Sequence, residues 1–474
     1  MENEKFNQEV HDNRLATFFQ QQLTNNPELA YAKQILKGQR LCGSQCTKKS
    51  TLQLVHVVSN GERSAFSNII SCHSVWACPR CSARVMAQKA TNIACAIDAL
   101  ATWYKEYAVM ITFTLPHFDN MTCKKSFDIL EDTWRMFSKG GNRACSAVKN
   151  YTIKSDRNIK GTQYTKGTQT KYVCGRNPYG AFRAELGCTR YVKVYEFTYG
   201  DNGWHPHIHA LFWIPKNNFK KVVDYEQELN QRWWACAKHC AKKHLPDSMI
   251  EKLYPDWKYE VHKPITISKN SDGTPRKQTS ASYLAGYQWS SEKELCGAER
   301  LKSAAEGHYV PAELIALAYE YRSNPVEMNR YLKLYTEYAV ATFKHRRVQF
   351  SARSGITQII SKWKQTSTYI EEFKKKFLDK ADGKMWKVVC SFDEESWSQI
   401  YSMEITKNIQ LRSKILKLAA LPNAKQQIYH LLKPLDIRLY NPNNAPIKPN
   451  DLRRLKELYE NEKLSIESRF KHAA

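Results

Sequence analysis

Three imidazoles stand at alternate positions in His205-Pro206-His207-Ile208-His209. On a strand, residues two apart share a face, so these rings project to one side while Ile208, Ala210 and Phe212 fill the other. Imidazoles at i and i+2 form a ready pair of nitrogen ligands for a divalent cation. The preceding segment RYVKVYEFTY (190–199) also has strand composition, and Gly200-Asp201-Asn202-Gly203 supplies turn chemistry between the two. With those four residues as the loop, Tyr199 pairs with Trp204 and Glu196 falls opposite His207. Side chains so paired have Cβ atoms ~4.5–5.5 Å apart. The hairpin alone then assembles His207, His209 and Glu196, a set that leaves coordination positions open for substrate oxygens. A one-residue slip would turn Glu196 away and make His205 the third ligand.

Two further groups carry reactive side chains. Tyr283 and Tyr287 lie four apart in Ser282-Tyr283-Leu284-Ala285-Gly286-Tyr287, one helical turn above each other. Ser280 or Ser282 would cap that helix, and Gly286 weakens it. A phenol can attack phosphorus and form a phosphotyrosine ester, but its pKa of about 10 requires a metal, a base or nearby cations to activate it. Among 14 cysteines, Cys42, Cys46, Cys72, Cys78 and Cys81 cluster in the sequence. The N-terminus, MENEKFNQEV, is polar and unlike a secretory signal, so the cluster reads as a metal site in a reducing compartment. Cys78-Pro79-Arg80-Cys81 is a C-x-x-C knuckle, half of a structural zinc site. The set Cys236, His239, Cys240 and His244 has a spacing that arises readily on a helix and is read as structural.

The elements that must position these residues read as an α+β fold: a central antiparallel sheet carrying the histidine hairpin, flanked by helices. The segment VMITFTLPH (109–117) alternates as a strand closed by Pro116. Helices are expected over 89–106, 124–138 and 218–245, and a further strand over 258–268. Residues 1–41 read as a loosely attached arm with a helical stretch at Arg14–Gln22, and 42–88 as the zinc-binding segment. Residues 89–358 read as the main domain, with a basic insertion over 139–189, and 359–474 as a basic, helical C-terminal domain. The 474 residues carry 72 Lys+Arg against 46 Asp+Glu, a net charge of +26. Such a surplus predicts a polyanionic partner, most economically nucleic acid. Hydrophobic residues at 42% exclude a wholly disordered chain. No apolar run reaches the ~18 residues of a spanning helix, so no membrane partner is expected.

The order TFTLPH (Thr112–His117), EFTYGDNGWHPHIH (Glu196–His209) and YLAGY (Tyr283–Tyr287) resembles the HUH endonuclease superfamily, specifically the rolling-circle replication initiators of bacterial plasmids. CHSVWACPRCSARV (Cys72–Val85) is similar to that family's N-terminal zinc-binding segment. EYAVATFKHRRVQFSARSG (Glu337–Gly355) resembles its basic stretch, in which Phe343–Arg347 read as part of a phosphate track. The resemblance covers roughly residues 42–355. It implies that His207 and His209 bind a catalytic Mn2+ or Mg2+ with Glu196 as third ligand, and that Tyr283, with or without Tyr287, is the nucleophile. The family's spacing completes a four-cysteine zinc set as Cys42, Cys72, Cys78 and Cys81, with Cys46 or His73 as substitutes. Family members with one tyrosine often carry Tyr-Leu-x-Lys. Gly286 stands at the Lys position here, which leaves the cationic helper open, Lys293 being a candidate.

The activity so implied is nicking and rejoining of single-stranded origin DNA through a 5′-phosphotyrosine, freeing a 3′-hydroxyl primer. The expected partners are origin DNA with a host helicase and polymerase, in a prokaryotic cytoplasm. No P-loop is present, so no nucleotide cofactor is expected. In conjugative relaxases the tyrosine precedes the histidines; here it follows by over seventy positions, which favours replication or transposition. An HUH-type transposase is therefore the nearest rival, and a non-catalytic, zinc-containing DNA-binding regulator the rival of another class.

Overall fold

The computed structural model describes residues 8–45, 54–59, 64–119, 121–138, 165–167, 170–172, 178–258, 261–280, 308–351, 354–369, 387–407, 409–437 and 439. Within them the fold is α+β, with antiparallel sheets flanked by helices. The strands are, in chain order, β1 (Val55–Ser59), β2 (Ser64–Ser67), β3 (Glu106–Phe113), β4 (Thr165–Gly167), β5 (Thr170–Tyr172), β6 (Arg190–Gly200), β7 (Gly203–Pro215), β8 (Ile265–Ile267), β9 (Lys277–Gln278), β10 (Val348–Phe350) and β11 (Lys387–Phe392). The chain divides into two compact units: Met1–Met86 with Ala318–Thr336 and Ser361–Ala474, and Ala87–Leu317 with Glu337–Ile360.

In the first unit a three-stranded sheet runs in the order β11-β1-β2. Val55 and Val57 alternate with His56 and Val58, and only the first pair is fully buried, as expected of a strand with one core face. They join Phe392, Trp397, Ile400, Ile415, Leu416 and Ile428 in a single core. The stretch after residue 359 is therefore not purely helical: β11 pairs with β1, from Val55↔Phe392 to Ser59↔Lys387.

Nor is the N-terminal segment a loose arm. Its helix Gln8–Asn25 buries Thr17, Gln20 and Gln21. Gln20 Nε2 donates to the Gln39 and Cys42 carbonyls, and Gln21 Nε2 to the Glu404 carbonyl. The keystone is Arg412, 1% exposed, which ion-pairs with the fully buried Glu404 and donates to Thr17 Oγ1 (3.0 Å) and Gln20 Oε1 (2.8 Å). Arg412→Ala would leave Glu404 buried and unpaired, so the expected loss is about 3–5 kcal/mol of stability, read from chemical denaturation.

In the second unit the sheet order is β10-β6-β7-β3-β8, with β9 also paired to β3. The hairpin ladder runs from Arg190↔Trp213 to Gly200↔Gly203, which includes the expected Glu196↔His207 and Tyr199↔Trp204 pairs. The ladder continues one pair past Tyr199, so the turn is Asp201-Asn202 rather than a four-residue loop. Phe113, Tyr195, Ile208, Ala210 and Phe212 are buried on one face. There the helices Cys123–Ser138 and Glu226–Ala241 cover them, with Trp134, Phe137 and Trp233 around the Phe113 ring at 5.2, 5.6 and 5.0 Å. Two expected elements are shorter than predicted. The strand near 258–268 is confined to Ile265–Ile267, and the helix near 218–245 opens as a 3-10 segment, Lys216–Tyr225.

One charge lies inside this covered face. Lys193 is 6% exposed, donates to Tyr195 Oη at 2.5 Å and sits over the Trp134 ring. Burial lowers its pKa to about 8. The unfolded chain then binds more protons than the folded one between about pH 8 and the ordinary lysine value, so stability should rise with pH across that window. Lys193→Met should abolish that rise and stabilise the fold at pH 7 by about 1–3 kcal/mol, measured by denaturant titration at several pH values.

Candidate metal centres

The opposite face of the hairpin carries Glu196, His207 and His209, all part-buried. Glu196 Oε2 lies 3.3 Å from His207 Nε2 and 3.1 Å from His209 Nε2. One ligand atom from each of the three lies within 4.8 Å of the others. The β7–β3 register sets Thr112 beside His209, and Thr112 Oγ1 is 2.9 Å from His209 Nδ1. His207 Nδ1 faces the His205 carbonyl at 3.4 Å. A carbonyl only accepts, so the tautomer with its proton on Nδ1 is the one this contact would hold, and that tautomer frees Nε2 to ligate a cation. Thr112 plays the same orienting part for His209, the arrangement typical of imidazoles behind a metal.

Electrostatics agree with the geometry. Burial alone would raise the Glu196 carboxyl, but the charge of His209 and hydrogen bonds from both histidines hold it well below the carboxylate range. Burial alone would lower His209, but Glu196 outweighs it and raises this imidazole. Two imidazoles and one carboxylate on one face can hold a divalent cation and leave positions open to substrate oxygens.

His205 shares the face but does not enter the triad. Its ring stacks on His117 from the loop after β3, with centroids 4.4 Å apart and planes at 19°. Burial, then His117, His207 and His308, push the His205 imidazole down to about 3. That loop meets the hairpin tip at Gly203 (φ +80°), where an added Cβ would sit 2.9 Å from the Phe118 carbonyl oxygen. Only glycine permits both the left-handed backbone and the approach. Neither Thr112 nor His117 was assigned a role from sequence, although both lie in the TFTLPH stretch. Their signal is the strand register, which places Thr112 opposite His209.

In the first unit Cys42, Cys72, Cys78 and Cys81 bring their Sγ atoms within 4.8 Å of one another as free thiols. Cys42 Sγ is 3.4 Å from Cys81 Sγ and 3.7 Å from Cys78 Sγ. A tetrahedral site with Zn–S near 2.3 Å needs sulfur edges of about 3.8 Å, so the set fits structural zinc. Arg80 is buried beside it and donates from Nη2 to Cys42 Sγ at 3.2 Å. Hydrogen bonds from Cys72, Cys78 and Cys81, then the Arg80 charge, hold the Cys42 thiol far below its ordinary value against the opposing effect of burial. Gly43 (φ +76°) makes room for that guanidinium, since a Cβ there would collide with Arg80 Nη1. His73 is exposed and outside the cluster, and Cys46 lies outside the described residues.

Other sequence-predicted positions divide three ways. Tyr283, Tyr287 and Lys293 lie outside the described residues. Cys236, His239, Cys240 and His244 form no ligand cluster: among the described residues such groups are the four cysteines and the Glu196 triad. In the basic stretch, Arg347 is buried and donates to the Tyr195 carbonyl, while His345 faces Glu131 at 3.0 Å. Among its described residues, Lys344 and Arg346 are the exposed cations. No helix among the described residues is long and apolar enough to cross a membrane.

No family model and no solved structure matches the chain. Two curated relatives align over 146 residues at 27% identity, covering 30% of this chain. One is a neomycin resistance protein of Streptomyces cyanogenus and the other a Protein rep of Streptomyces lividans. The chain spans 30% of the first relative's length and 29% of the second's.

Proposed function

We propose that the chain is a rolling-circle replication initiator, a metal-dependent endonuclease and strand transferase acting on single-stranded origin DNA. The observation that carries this reading is the convergence of Glu196, His207 and His209 on one face of the β6–β7 hairpin. These three would hold Mn2+ or Mg2+, which supplies positive charge to the oxygens of the scissile phosphate. Thr112 and the His205 carbonyl fix the two rings, so the site is set before DNA arrives. The net charge of +26 suits a polyanionic strand, and the partial likeness to a Protein rep points the same way. A host helicase and a polymerase are the partners this activity requires.

The nucleophile in this reading is Tyr283 or Tyr287. The phenol oxygen bonds to phosphorus as the P–O3′ bond breaks; the phenol loses its proton, and the departing 3′-oxygen gains one to become the primer hydroxyl. One phosphoester replaces another, so the strand can later be rejoined without ATP. Incubating the chain with its single-stranded origin and Mn2+ should yield a denaturant-resistant protein–DNA adduct. Tyr283→Phe is expected to abolish that adduct and Tyr287→Phe to retain it. An adduct surviving in the double variant would contradict the phenol assignment.

A further inference from the structure

In the first unit two nine-residue helices, Leu411–Ala419 and Ala424–Leu432, are joined by the four residues Ala420–Asn423. Asn423 closes that turn in the left-handed backbone region (φ +55°), which asparagine tolerates better than most side chains. A helix–turn–helix unit has a turn of this length. Its inner side is fixed. Leu411, Ile415 and Leu416 of the first helix and Ile428 and Leu432 of the second enter one core with the sheet residue Phe66. Ser64 Oγ donates to the Leu416 carbonyl at 2.6 Å, which fastens the first helix to β2. Gln427 Nε2 donates to the Pro422 carbonyl at 2.8 Å and ties the second helix to the turn.

The outward side of the second helix is a single stripe. Lys425, Gln426, Tyr429, His430 and Lys433 are exposed at helical spacing, opposite the buried Ala424, Ile428 and Leu432. Tyr429 is 47% exposed, with Lys433 Nζ 6.0 Å from its ring centroid. No Asp or Glu stands between Glu404 and Asp436, while Lys414 and Lys417 are exposed on the first helix. An ordinary solvated helix face interleaves both signs in i, i+4 pairs, and this one carries a single sign. Holding a phosphate backbone needs only the cations. The amide of Gln426 and the imidazole of His430 add donors and acceptors of the kind that pair with base edges. A helix ~10–12 Å across with its side chains matches a major groove ~12 Å wide. A single strand is held instead by a row of stacking aromatics, and this stripe has one ring of that kind, Tyr429. We infer that the helix Ala424–Leu432 enters the major groove of double-stranded DNA and reads its sequence, with the lysines of both helices on the flanking phosphates. This function goes beyond nicking and does not rest on it, because its residues belong to the first unit and the triad to the second.

Selection of duplexes from a random-sequence library by the full chain, followed by anisotropy on the fluorescein-labelled products, tests it. The wild type should enrich one short motif and bind that duplex at least about a hundredfold more tightly than a scrambled one. Gln426→Ala should cut this preference about tenfold, the effect of one lost base contact. Lys425→Ala should weaken binding to both duplexes alike and lower the salt slope by about one. The thermal transition and Mn2+ binding should be unchanged in both variants, since the substitutions fall on an exposed helix face. Enrichment of no motif would overturn the inference. So would equal affinity for the duplex and its separated strands, or full preference in a Gln426→Ala, His430→Ala double variant. A chain that reads a motif but forms no adduct with single-stranded DNA would defeat the nickase reading and leave this one standing.

Discussion

His209→Ala should reduce adduct formation with single-stranded origin DNA by at least about a thousandfold, with the fold intact. The reasoning follows from where His209 stands. It faces Glu196 at 3.1 Å through Nε2 and Thr112 at 2.9 Å through Nδ1, so its removal takes one ligand and opens the coordination shell. Lewis-acid stabilisation of developing charge supplies several kcal/mol, and each ~1.4 kcal/mol is tenfold in rate. His209 is only part-buried, and Ile208 and Ala210 on either side of it in sequence, not His209, point into the aromatic core, so the fold loses little packing. Glu196→Gln should lose activity to a similar degree. Thr112→Val, which removes only the orienting hydroxyl, should cost about ten- to a hundredfold. In the metal-free chain Glu196 raises His209, so a proton competes with the cation. Mn2+ affinity should therefore climb with pH through and above the ordinary histidine range. Activity of His209→Ala within tenfold of the wild type would remove the triad from the chemistry.

Loss of the cysteine site should be equally severe, but for folding. Zinc stripped by a chelator, or Cys78→Ser, is expected to unfold the first unit. Structural zinc contributes folding energy outright, about 10–16 kcal/mol in zinc-finger peptides, against a whole-domain stability of about 5–15 kcal/mol. Cys78 is buried at the head of a helix, and the buried Arg80 two residues on donates to the Cys42 sulfur, so losing the thiolate–zinc site removes a charge partner from a buried cation. Zinc content should fall from one ion per chain to none in Cys78→Ser, with loss of the cooperative thermal transition. Cys188→Ser, a buried thiol outside the cluster, should keep its zinc. A chain that retains its melting temperature without zinc would mean that the four thiols only pack.

The hairpin was legible because turn and pattern agree. Asp201-Asn202 between two glycines fixes the register, and the period-2 alternation fixes which face is wet. The same logic exposed Glu196, since cross-strand partners follow arithmetically once the turn is known. The first unit was harder to read. Thr17, Gln20 and Gln21 look like a solvated helix face, yet they are buried because partners nearly four hundred residues away in sequence take their hydrogen bonds, Arg412 those of Thr17 and Gln20 and the Glu404 carbonyl that of Gln21. β11 was hidden for a related reason: its partner β1 is more than three hundred residues earlier, and a lone short strand among helical segments has no local signal. The basic stretch misled in the opposite sense. Arg347 carries the composition of a phosphate contact but is buried on the Tyr195 carbonyl, a difference that only tertiary structure reveals.

The central claim concerns where a catalytic cation sits, and pulsed electron paramagnetic resonance of the Mn2+-loaded chain addresses it without recourse to activity. Two nitrogen couplings, one from each imidazole, are predicted for the wild type. One should remain in His207→Ala and one in His209→Ala, and none in the double variant. Mn2+ that binds without nitrogen coupling, or whose couplings survive both substitutions, would contradict the account.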